Sequence, residues 1–117
     1  MCVRLQVAVV LVESDLELAW AAGFFDGEGS TSVLKAQRDK YAYLRISVSQ
    51  KHPECLERFQ QAIGGYGKIY KAKVRDIHSW DCYRKDQVDI VINKLYPLLS
   101  VHKRNQIDEA RKRIVEG

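Results

Sequence analysis

With two prolines, three cysteines and one methionine in 117 residues, the chain is short of the residues that build linkers and cross-links. Pro53 and Pro97 stand far apart, and no low-complexity tract or internal repeat interrupts the sequence. Nothing therefore divides the chain, and its length supports one core and one domain. Cys2, Cys55 and Cys82 are odd in number and lack C-x-x-C spacing. That pattern indicates neither a disulfide framework nor a zinc knuckle, and a reducing, intracellular setting is the simpler expectation. Long apolar runs are also missing. The longest candidate, LQVAVVLV from Leu5 to Val12, is interrupted by Gln6 and falls far short of the ~20 residues that span a bilayer. No small-residue cleavage pattern follows it, so a signal peptide is not expected. Residues 1–13 read as an N-terminal extension, strand or helix, of a domain covering 14–117.

What is present is charge, unevenly spread. The net charge is +4, and residues 61–117 carry 12 basic against 7 acidic side chains, whereas residues 1–60 carry 7 against 8. Solvated faces account for most such excesses. One carried on strands and a terminal helix also suits attraction to a polyanion.

Hydrophobic periodicity orders the elements. Ser14-Asp15-Leu16-Glu17 has the form of a capping box, which predicts a helix starting at Ser14 and stopped by Gly27 and Gly29. From Tyr41 to Ser49, Ala42, Leu44, Ile46 and Val48 alternate with Tyr41, Tyr43, Arg45, Ser47 and Ser49, a strand with one buried face. Residues 30–38 read as its hairpin partner. Pro53 suits the first position of a helix with a Leu56, Phe59, Ile63 stripe, closed by Gly64-Gly65. A second hairpin is expected over 67–75 and 77–83, with Trp80 and Cys82 inward. Val88, Val91, Ile92, Leu95 and Leu99 mark a helix broken by Pro97, and a basic helix follows. The class is α+β.

The stretch AAGFFDGEGS, residues 21–30, sets a chemical question. Glu28 falls at the C-terminal end of the first helix, where exposed carbonyls already carry partial negative charge, a mismatch of about 0.3–1 kcal/mol when exposed. Something positive is needed there. On the same helix Ala19, Gly23 and Gly27 recur every four residues and leave one face bare, while Leu16, Trp20 and Phe24 give a bulky face expected in the core. A bare face suits tight packing within the fold, or contact with an identical helix across a dimer axis. Asp26 and Glu28 exclude a membrane setting for it. In the dimer, two copies of Glu28 would meet and require cations between them.

Leu18 to Ser30 resembles the LAGLIDADG homing endonucleases, with AAGFFDGEG a close variant of that family's signature. The order αββαββα, the strand ending Val48-Ser49-Gln50-Lys51 before a helix, and Tyr96-Pro97-Leu98-Leu99 before a basic helix extend the resemblance over roughly residues 14 to 115. It implies a LAGLIDADG fold, an antiparallel sheet forming a DNA-binding saddle with helices behind it. A single motif implies a homodimer reading a pseudo-palindromic site. The implied activity is Mg²⁺-dependent hydrolysis of both strands near the dyad, leaving 3′ overhangs, with Mn²⁺ able to substitute. The gene would sit in a mobile intron, and the protein would work wherever the host DNA is: bacterial or phage-infected cytoplasm, or an organelle matrix.

Carried onto this chain, the resemblance makes Glu28 the metal-binding acid, helped by Gly27, and makes Gln50 a residue that orders water near the metal. The family's basic residue aligns with His102, with Lys103 beside it; Lys103 is preferred because its ammonium is charged at neutral pH, whereas a histidine is mostly neutral there. Ala19, Ala22, Gly23, Asp26 and Gly27 are expected at the dimer interface. DNA contacts are expected from Ser32, Leu34, Arg38, Tyr41, Tyr43, Arg45 and Ser47 of the first hairpin and from Lys68, Tyr70, Lys71, Lys73, Arg75, Ser79, Asp81 and Tyr83 of the second. Arg45 suits guanine, Ser47 either base type, and the lysine run phosphates. Alternatives within the same fold are an intron RNA maturase and an inactive DNA-binding remnant; a structural or regulatory dimer is a further reading.

Overall fold

Helix α1 (Cys2–Glu28) runs through the S-x-x-E sequence without starting there. This corrects the expected start at Ser14, and the reason is local: residues 2–13 hold neither Gly nor Pro, and valines cost at most about 0.7 kcal/mol each in a helix. The protein is described by a computed structural model over residues 2–35, 42–73 and 75–116, with side-chain surroundings over 14–35, 42–73 and 75–114. Arg38 and Tyr41 lie outside the described residues.

After α1 come β1 (Gly29–Lys35), β2 (Ala42–Gln50), α2 (Pro53–Ala62), β3 (Lys68–Lys71), β4 (His78–Cys82), α3 (Lys85–Leu95), a 3-10 turn (Tyr96–Leu98) and α4 (Val101–Glu116). Pro53 takes the first turn of α2, where its missing N–H costs nothing. Pro97 ends α3 through the 3-10 turn. Strand β3 is shorter than expected. Beyond Lys71 the Ala72 N–H donates to Ile77 O at 2.9 Å across the turn, so Lys73 and Arg75 belong to a loop.

The sheet is antiparallel in the order β1-β2-β4-β3. Its pairings match Val48 with Gly29 and Trp80, and Ser47 with Ser30 and Asp81. Cross-strand partners share a face. Leu44, Ile46, Val48, Trp80 and Cys82 thus turn toward the helices and are buried together with Phe25, Leu56, Phe59, Ile63, Val88, Val91, Ile92, Leu95 and Ile107. Trp80 is the hub. Its ring meets Phe59 edge-on at 4.9 Å, and its Nε1–H donates to Tyr66 O at 2.8 Å. Gly67, at φ 86°, leaves the room: a Cβ there would lie 2.3 Å from Trp80 Nε1.

Helix α1 buries a different stripe from the one expected. Ala21, Ala22 and Phe25 are inside, whereas Leu16 is 61% exposed and Trp20 and Phe24 are half-buried. The alanines permit close approach to the sheet and α2. Trp20 and Phe24 flank that contact, stacked at 5.1 Å, and Arg58 of α2 lies 3.9 Å over Trp20 while gripping Glu17 at 2.8 and 3.1 Å. Ala22, expected at a dimer interface, therefore belongs to this chain's own core.

Candidate functional site

The face of the sheet away from the helices is polar, and the register explains its composition. Ser30, Ser32 and Leu34 of β1 pair with Ser47, Arg45 and Tyr43 of β2, and Ser79 and Asp81 of β4 continue the same side to Tyr70 and Lys68 of β3. The fold thus gathers Ser32, Leu34, Tyr43, Arg45, Ser47, Lys68, Tyr70, Ser79 and Asp81 on one surface. Tyr83 follows β4 and lies 6.5 Å from Tyr43. Lys71 is an exception: it pairs with His78 on the helix-side register, and its ammonium reaches Asp76 at 3.9 Å. Period 2 from Tyr70 puts it there, so its expected place beside Lys68 is corrected. Lys73 and Arg75 are exposed on the adjoining loop.

Hydrogen bonds tie this surface across strands. Ser30 and Ser47 meet at 2.8 Å, Ser49 and Ser79 at 3.0 Å. Arg45 Nη2 lies 3.4 Å from Asp81 Oδ2, and the Tyr70 hydroxyl donates to the same oxygen at 2.7 Å. That bond raises the Tyr70 pKa, burial adding to it. Ser30 and Ser49 were not among the expected contacts; counting by twos from Ser32 and Ser47 would have found both.

At the edge of this surface α1 ends. Glu28 is exposed, and α1 has no basic residue in its last turn. The positive charge comes from α4 instead: Lys103, 8% exposed, donates from Nζ to Gly29 O at 2.5 Å, with Phe25 beneath it at 6.0 Å. Asp26 Oδ1 accepts the Ser100 N–H at 2.9 Å, and the Ser100 hydroxyl accepts the Lys103 N–H at 3.3 Å. The Ser100 amide holds the Asp26 carboxyl below its ordinary value. Asp26 thus serves the N-terminus of α4 in its own chain. His102, exposed, has its Nε2 3.2 Å from Gln106 Nε2. Gln50 closes β2 at a shallow surface with Ser49, Lys51, Asp76 and Ile77.

Among the described residues no three His, Cys, Asp or Glu side chains converge on one point. One chain therefore offers oxygen donors but no closed cage. An exposed carboxylate fits Mg²⁺, which keeps several waters and takes one or two carboxylates plus substrate phosphates. Gly23 and Gly27 face open space, with nothing within 4 Å of a Cβ built on either, and Ala19 is exposed beside them. Among the described residues no helix is long and apolar enough to cross a membrane.

Known proteins share this architecture. The chain is 33% identical over 90 residues to the probable intron-encoded endonuclease aI3 of Dictyostelium discoideum, covering 73% of this chain and 38% of that protein. It superposes on the archaeal intron-encoded homing endonuclease I-Vdi141I, solved with DNA, with a TM-score of 0.68 at 26% identity over 80% of this chain and 64% of that one. I-CvuI, solved with its target in the presence of Ca²⁺, gives 0.70 at 24% identity over 81% and 63%. The chain thus spans well under half of the curated relative and somewhat less than two thirds of these solved chains. Residues 21–110, from the motif helix to α4, match the LAGLIDADG endonuclease model, and the chain belongs to that family.

Proposed function

We propose that this chain is a site-specific DNA homing endonuclease, working as a homodimer that cuts both strands of a pseudo-palindromic duplex near its dyad. The observation that carries the reading is the continuous polar face of the sheet, nine expected DNA contacts on one side, bordered by the exposed Glu28 at the end of α1. A two-stranded ribbon fits the major groove, and side chains on alternate residues reach base edges. Lys73 and Arg75, on the loop beyond β3, suit phosphates, so binding would weaken with salt by about 0.9 log unit per contact in each log unit of salt.

Dimerisation is supported by the bare, exposed Ala19-Gly23-Gly27 row, which nothing in the chain covers among the described residues. Pairing two such rows would bring two Glu28 carboxylates together. Glu28 and the Gly27 carbonyl would hold Mg²⁺. When bound, Mg²⁺ supplies charge stabilisation for the phosphoryl and leaving oxygens and lowers the pKa of water. Glu28 orients that site, and Gln50 orders solvent at the end of β2. Lys103 offsets the negative helix end and adds positive charge beside the backbone to be cut. The expected cuts are staggered and leave 3′ overhangs.

The test is a cleavage selection. Purified protein is incubated with a randomised duplex library in Mg²⁺ and, separately, Ca²⁺, and new ends are sequenced. Staggered ends at one pseudo-palindromic sequence in Mg²⁺ alone are expected. Bound but uncut DNA in both would sink the nuclease reading, and absence of both binding and ends would redirect the search to intron RNA.

A further inference from the structure

Asp81 is an anomaly on a face meant for a polyanion. It stands on β4, a central strand, only 15% exposed at its side chain, where a carboxylate repels phosphates. Its surroundings explain its retention. Arg45 approaches from β2, Nη2 at 3.5 Å from Oδ1 and 3.4 Å from Oδ2; Tyr70, from the edge strand β3, donates its hydroxyl to Oδ2 at 2.7 Å. Three adjacent strands thus meet at one carboxylate. Arg45 Nε is buried and has no partner among the described residues. The guanidinium meets Asp81 through Nη2, and the side chain is 35% exposed, so part of it stays open to whatever covers the sheet. An arginine fixed in this way loses less rotamer freedom on binding than a free one, and its planar fork matches guanine O6 and N7.

We propose that Asp81 and Tyr70 are positioning residues which aim Arg45 at one guanine in each half-site, and that the Asp81 charge lowers affinity for arbitrary DNA in exchange for that discrimination. The proposal rests on the reading of the open face as a DNA surface. It reassigns Asp81 from a base contact to a support for one. Where Arg45 meets guanine, the Asp81–Arg45 pair keeps its geometry; where another base stands there, Arg45 gains no bidentate partner and the neighbouring carboxylate repels the backbone. Specificity here comes partly from repulsion of the wrong sequence.

The proposal separates from a merely structural role because the two predict opposite changes in affinity. Wild type, Asp81→Asn, Tyr70→Phe and Arg45→Ala are each passed through a binding selection on a randomised duplex library in Ca²⁺. Affinity for the selected site and a scrambled duplex is then titrated across salt. Wild type is expected to select a guanine at one position per half-site. Asp81→Asn should reduce that preference by about fivefold or more, the lower end for a bidentate contact, and bind the scrambled duplex more tightly than wild type. Tyr70→Phe, changing an exposed phenol, should weaken the preference less and leave the salt slope unchanged; it keeps the test open if Asp81→Asn does not fold. Arg45→Ala should abolish the preference. Asp81→Asn binding every duplex more weakly, or keeping the full guanine preference, overturns the proposal while the DNA reading stands. Wild type selecting no sequence at all overturns both.

Discussion

The two faces of the sheet are built from the same strands, one residue out of step. On the helix side Leu44, Ile46, Val48, Trp80 and Cys82 are between 0% and 7% exposed, and apolar side chains of α1, α2, α3 and α4 close over them. On the other side Tyr43, Arg45, Ser47 and Asp81 are only half-buried, and their contacts are hydrogen bonds across strands. The first face supplies stability, because each fully buried apolar side chain contributes about 1.5–3 kcal/mol. The second contributes little to folding and is the surface proposed above for recognition. A surface so decoupled from the core can change its side chains at small structural cost.

Substitutions at neighbouring positions test that division. Trp80→Ala should cost about 3–5 kcal/mol in urea unfolding, from lost burial, the cavity left behind and an unpaired Tyr66 carbonyl. A cost near zero would mean that the helix side is not the stabilising face. Glu28→Gln lies on neither face. It should leave the unfolding midpoint in place while cleavage of the selected target falls about a hundredfold or more, the size expected if several kcal/mol of charge stabilisation is lost. Full cutting by this variant would remove Glu28 from the metal site.

Asp26 sharpens the comparison through pH. Its folded pKa is depressed by the Ser100 amide, so its contribution is fully present above the ordinary carboxylate range and is lost as pH falls through the lowered value. Asp26→Asn should reduce stability at neutral pH and flatten the acid limb of the stability curve; identical acid limbs would show that the cap is not formed. The smallest effect is expected on the open side. Ser47→Ala should shift stability by no more than about 0.5 kcal/mol, while altering base preference in the binding selection.

The division of faces was already visible in the sequence wherever alternation is strict. Leu44, Ile46 and Val48 against Tyr43, Arg45 and Ser47, Pro53 opening α2, and Trp80 with Cys82 inward all follow from period and residue type. Failures came where three-dimensional proximity overrides spacing. The bulky row of α1 looked like its core face, yet the sheet accepts Ala21 and Ala22 at the closest approach and leaves Leu16 exposed. Lys71 read as part of a basic cluster, but strand parity separates it from Lys68. The partner of Asp26 and the ammonium that offsets the end of α1 both lie 74 positions further on. No local pattern encodes a contact at that separation, so Lys103 was recognisable by the family resemblance and its charge but not by its position under Gly29.

Those two long-range ties bear on synthesis. Ribosomes make a chain from its N-terminal side onward, so the motif helix emerges before Ser100 and Lys103, which follow their partners by 74 positions. Until α4 has emerged, the acidic tip of α1 lacks both fastenings, the amide at Asp26 and the ammonium on Gly29. A nascent fragment therefore carries the family's most recognisable sequence without its finished geometry, and a chain truncated before α4 would leave the tip of α1 unfastened.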